Sequence, residues 1–170
     1  MLTLMNIKVV SVFYCALLTA SVSTGEEGIV KNTLANNCYA SLSESKPDVA
    51  QCESALKSTN DSQEKALLLS NLALIQANAG QFQSAQASMV EALKQDPRNF
   101  SVLVNLGNLR IQQRLYREAL QSYDAAVAIG AIREPAIYLN RSIALRGLGR
   151  YAEARENFIQ YKLLVDQSGP

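Results

Sequence analysis

A repeating period is the strongest constraint on what this chain can fold into. Three stretches, residues 66–99, 100–133 and 135–168, align at offsets of 34 and then 35 residues. Asn71, Asn105 and Asn140 recur in register, each followed two positions later by a small residue, Ala73, Gly107 or Ser142. An aromatic comes next, at Phe82, Tyr116 and Tyr151, then an alanine at Ala85, Ala119 and Ala154. A large side chain follows one turn on, at Met89, Tyr123 and Phe158. Self-similarity at this spacing marks one supersecondary unit used repeatedly, whose copies bury their apolar faces against one another.

Each unit reads as two helices. Gly80 and Gly149 close the first helix of their repeats, and Arg114 stands at the matching place in the middle one. The aromatic then opens the second helix. Small residues at Ala73, Gly107 and Ala85 let two helix backbones approach, while Leu69, Leu103 and Tyr138 fill the space beside them. Asp61-Ser62-Gln63-Glu64 has the form of a capping box ahead of the first repeat, and Asp96-Pro97 breaks the chain between hairpins. The extra residue of the longer offset falls in the turn Ile132–Pro135. Residues 31–58 suggest a degenerate hairpin that caps the N-terminal side, its second helix spaced by Cys52 and Ala55. A last helix around Tyr161–Val165 is expected to pack on the third repeat.

Leu103, Leu106-Gly107, Ala119, Tyr123 and Ala126, with Pro97 ending the first repeat, carry a resemblance to the tetratricopeptide repeat family. The chain departs from that pattern at Gln76 and Arg110, which replace its tyrosine. It departs again at Arg141, which replaces a leucine, and at Ala131 and Asp166, which replace its terminal proline. The resemblance covers about residues 64–166. It implies an all-α fold, an α-solenoid of stacked antiparallel hairpins: three repeats within residues 61–168 and the degenerate hairpin at 25–60. It also implies a concave groove lined by the first helices, which holds an extended peptide or a partner's helix. Carried onto this chain, the lining is Ser70, Leu74 and Asn78, then Ser101, Val104, Asn105, Asn108, Ile111 and Gln112, then Leu139, Ile143 and Arg146. Asn105 and Asn108 would hold a peptide backbone, and Arg146 a carboxylate. The opposing reading makes the recurrent asparagines, Asn71 and Asn140 above all, braces between hairpins. A lysine-based carboxylate clamp is not supported, because no lysine lies between Lys94 and Lys162.

Composition narrows the function classes. Histidine is absent, which removes the commonest general base and metal ligand together. No nucleophile elbow, phosphate loop, dinucleotide fingerprint or Cys-x-x-Cys motif occurs. No enzyme activity, cofactor or metal is therefore expected. A net charge of +1 gives no reason to expect nucleic acid. The charge is uneven, however. Residues 24–97 hold five lysines and nine acids, whereas residues 98–162 hold ten basic residues, nine of them arginine, and five acids. Two solvated faces would account for this, and so would a C-terminal half that meets an acidic partner.

Residues 1–24 read as a secretory signal peptide. Lys8 precedes an apolar run, Val9–Leu18, too short for a confident bilayer span, and small residues follow at Ala20, Ser21 and Ser23. Cleavage would leave no membrane span, whereas an uncleaved segment would act as an anchor. Cys15 lies in the apolar run after Tyr14, a poor context for lipidation. The mature chain keeps Cys38 and Cys52, fourteen residues apart across Ser45-Lys46-Pro47-Asp48. An even count in an exported chain favours a disulfide, and two buried free thiols are the alternative. Three glycosylation sequons, at Asn60, Asn99 and Asn140, carry no information, since such matches arise by chance.

The expectation is an exported, non-enzymatic module, in a bacterial periplasm, that binds a protein or peptide. Self-association through the terminal helices is the alternative.

Overall fold

The computed structural model describes Cys38 and residues 49–167 of the 170-residue chain. Residues 1–24, read above as a signal, and residues 25–37 and 39–48, which hold the expected first helix of the degenerate hairpin and Pro47, lie outside the described residues. Among the described residues the helices are α1 (Val49–Ser58), α2 (Ser62–Asn78), α3 (Phe82–Gln95), α4 (Phe100–Gln112), α5 (Tyr116–Ala128), α6 (Pro135–Gly147) and α7 (Tyr151–Gln167), and there is no strand. The fold class is all-α, of the helical-repeat type. The chain divides between Pro97 and Arg98 into two compact units.

The helices begin and end for local reasons that repeat. Asp61 caps α2 by accepting the Glu64 N–H at 3.0 Å, and Asn99 caps α4 by accepting the Val102 N–H at 3.2 Å. The capping box is only half formed, because the Glu64 carboxylate accepts the Thr59 hydroxyl instead of the Asp61 N–H. Pro135 opens α6 at its first position, where a missing N–H costs nothing.

Among the described residues, the first helices of the three hairpins, α2, α4 and α6, close in one way. The N–H groups of Gln81, Leu115 and Arg150 reach back to the carbonyls of Gln76, Arg110 and Leu145 at 2.8, 2.8 and 2.9 Å. This closure needs a left-handed residue just before the donor. Gly80 and Gly149 supply it at φ 78° and 75°, and Arg114 supplies it at φ 60°. The extra residue of the second connection is absorbed by the 3-10 turn Ala131–Arg133, entered through Gly130 at φ 118°. No separate helix begins near Tyr161. Nothing between Tyr151 and Gln167 breaks the helix, so α7 runs through.

In the first unit, α2 and α3 form a hairpin, and α1 packs on α2. The core there joins Cys52 and Ala55 of α1 to Leu68, Leu72, Leu74 and Ile75 of α2. Cys38 and Cys52 are both fully buried and stand in disulfide geometry, with Cα atoms 4.8 Å apart.

In the second unit, the hairpins α4–α5 and α6–α7 stack through α5 and α6. Tyr123 is the hub of that core, buried together with Val104, Ala119, Ile137 and Ala144. Its ring lies against the α4 backbone at Gly107, where a Cβ would fall within 2.9 Å of three ring atoms. The equivalent side chain of the first repeat, Met89, is also buried, whereas Phe158 of the third is 43% exposed. No described hairpin follows α7 to cover it.

Candidate protein-interaction surface

Polar side chains at the repeat interfaces are matched to one another. In the second unit the Tyr123 hydroxyl donates to Asn108 Oδ1 at 2.8 Å, and Asn140 Nδ2 donates to the same oxygen at 2.8 Å. One amide oxygen thus ties α4 to both α5 and α6. Complete burial pushes the Tyr123 phenol well above its ordinary range. The network braces the hairpins, as the second reading of Asn140 expects.

The departures at the tyrosine position also have partners. Gln76 Oε1 accepts the Ser88 hydroxyl at 2.9 Å, and Arg110 donates to Ser122 Oγ at 2.6 Å. Ser88 and Ser122 are 34 residues apart, as are Gln76 and Arg110, so the same two positions pair in successive repeats with donor and acceptor exchanged. In the third repeat Leu145 takes the place of Gln76 and Arg110, and Asn157 that of the serine. There Asn157 accepts instead from Arg141 Nε at 3.0 Å, and Arg141 also pairs with Asp124. The three pairings were not visible from sequence, although Ser88, Ser122 and Asn157 do recur in register.

The residues assigned to the groove divide by accessibility. Ser70 and Leu74 of α2, and Val104, Asn105 and Ile111 of α4, are buried and offer a partner little surface. The Ser70 hydroxyl donates to the Leu67 carbonyl at 3.0 Å. Asn78 of α2, Ser101, Asn108 and Gln112 of α4, and Leu139 and Ile143 of α6 are half-buried, and Arg146 is exposed. In the second unit Ser101, Asn108 and Gln112 share one stripe of α4, and Leu139, Ile143 and Arg146 share one of α6. The Asn108–Asn140 bond holds these two helices side by side. Asn108 has thereby committed its carbonyl oxygen to structure.

No group of three or more metal-ligating side chains occurs among the described residues. No described helix is long and apolar enough to cross a membrane. What the second unit presents is two parallel first helices with mixed apolar and amide side chains, within a strongly arginine-bearing half.

Residues 70–132 match the tetratricopeptide repeat. The matched segment runs from within α2 to the 3-10 turn, so it takes in parts of both units. Repeats of this kind generally mediate protein–protein interaction and are typically non-enzymatic. No curated protein matches the chain.

Proposed function

We propose that the chain is an exported, non-enzymatic interaction module. It binds a peptide or protein segment along the first helices of its tetratricopeptide repeats. The observation that carries this reading is the pair α4 and α6, locked together by Asn108 and Asn140, with Ser101, Gln112, Leu139, Ile143 and Arg146 left at least partly accessible. An extended segment laid along them would meet apolar contact at Leu139 and Ile143, an amide at Gln112 and a guanidinium at Arg146. A surface this small supports affinities in the ~micromolar range.

Export and the cysteine pair support each other. An apolar leader with small residues after it suits secretion, and an oxidising compartment such as the periplasm would close the Cys38–Cys52 bond, whose geometry is already in place.

A second reading has its own observation. Phe158, Ile159, Leu163 and Val165 of α7 are 42–48% exposed, which leaves an apolar face for assembly with another copy or a larger complex.

The test is a crosslinked pull-down from cell-envelope extract, with the whole chain and its Ser101→Gln/Leu139→Gln variant as baits. Loss of a reproducible partner in the variant supports binding along the first helices. Capture of the chain alone favours assembly through α7, and identical partners for both baits would overturn binding along the first helices.

A further inference from the structure

In the second unit the turn between α4 and α5 lies beside the turn between α6 and α7. Gly147, the last residue of α6, fixes this placement: a Cβ there would fall within 2.6 Å of three ring atoms of Tyr116, the first residue of α5. The two turns therefore form one end of the unit. Residues 110–118 and 146–153 bring Arg110, Arg114, Arg117, Arg146 and Arg150 to it, against Glu118 and Glu153. The other end, residues 98–102, 129–136 and 162–167, carries three basic residues and two acids.

The arginines at the turn end are not equally engaged. Arg150 pairs with Glu153, its Nε donating to Oε1 at 2.6 Å. Arg110 donates to the Glu118 carbonyl at 2.9 Å and to Ser122. Arg114, Arg117 and Arg146 are exposed, and none of their guanidinium groups makes a hydrogen bond or ion pair with the described residues. Leu115, 43% exposed, and Tyr151, 71% exposed, stand at the same end. The N-termini of α5 and α7 add positive potential there. Arg114 holds a left-handed conformation that glycine holds in the two sister repeats, so a guanidinium is kept at that turn despite backbone strain.

We propose that this turn end binds an acidic segment of a partner protein, with Arg114, Arg117 and Arg146 on its carboxylates and Leu115 and Tyr151 against an apolar neighbour. All five cations are arginines, whose planar fork matches a carboxylate with two parallel hydrogen bonds. The proposal rests on the reading of the chain as a protein-binding module, but it places a contact at the turns, and only Arg146 is common to both surfaces.

The experiment uses the full chain and a fluorescein-labelled twelve-residue probe of glutamates with two leucines, read by anisotropy. The controls are the same probe with glutamine for glutamate, inorganic polyphosphate, and vesicles of anionic lipid as competitors. Binding in the ~micromolar range is expected for the acidic probe, with a steep loss as salt rises. The Arg114→Gly/Arg117→Gln variant should weaken it by about tenfold or more and flatten the salt dependence. Glycine suits the turn, so the variant keeps its fold, which circular dichroism checks. Ser101→Gln/Leu139→Gln should leave probe binding unchanged. Equal binding of the glutamine probe, no effect of the arginine variant, or tighter binding of polyphosphate or vesicles than of the acidic probe would each overturn the proposal. Capture of a partner through α4 and α6 is read separately by the pull-down, so the two readings fail independently.

Discussion

Arg114 is the one non-glycine residue with a positive φ among the described residues, in a turn that two sister repeats build with glycine. A Cβ in that conformation costs on the order of 1–2 kcal/mol. Part of this is offset by the greater chain entropy that glycine loses on folding. Arg114→Gly is therefore expected to stabilise the protein by about 1 kcal/mol, seen as a higher urea midpoint, while Arg114→Ala should give no gain. Gly107 works in the opposite direction. Its alanine variant drives a Cβ into the Tyr123 ring, which is buried and has nowhere to move. A loss of roughly 2–3 kcal/mol is expected from such overpacking, measured by the same titration.

Tyr123 links residue chemistry to pH. Replacing it with phenylalanine removes the hydroxyl donor to Asn108 and should cost about 1–2 kcal/mol. The native phenol resists ionisation because burial raises its pKa, whereas the unfolded phenol ionises near ~10. The unfolded state thus loses its proton first. The contribution is fully present below that pH and falls as pH rises above it. Urea titrations from pH 8 to 11 should show a decline that is steeper in the native protein than in Tyr123→Phe.

At the scale of elements, much was legible in the sequence. Phe82, Tyr116 and Tyr151 do open α3, α5 and α7, because the period places each of them directly after a helix-closing turn. The polar pairs Gln76–Ser88 and Arg110–Ser122 were not legible, because their partners lie on the facing helix and only packing brings them together. For the same reason Asn108 read as a ligand-binding amide. Its chemistry suits a peptide, but two neighbouring helices already use its carbonyl oxygen. The close contact of Gly147 with Tyr116 was equally hidden, since nothing in the local sequence distinguishes that glycine from an ordinary helix end.

The cysteine pair belongs to this scale too, since a bond in its geometry would tie Cys38 to α1 across a separation of 14 residues. Closing a loop of that length limits the unfolded chain and is worth about 3 kcal/mol. Reduction of the purified protein should lower its thermal midpoint, and a Cys38→Ser/Cys52→Ser variant should match the reduced protein. Equal midpoints with and without reductant would mean the bond does not form.

For the molecule as a whole, the charge division seen in sequence falls at the boundary between the two units, with arginine concentrated in the second. That unit also holds the paired first helices and the exposed face of α7, so the competing modes of binding meet there. Site-specific photo-crosslinking in living cells separates them most directly, with a crosslinkable amino acid placed at Leu139 on α6 or at Phe158 on α7. Binding along the first helices predicts a covalent adduct between position 139 and a different protein, with little product from position 158. Adducts from position 158 alone, joined to a second copy of the chain, would contradict it.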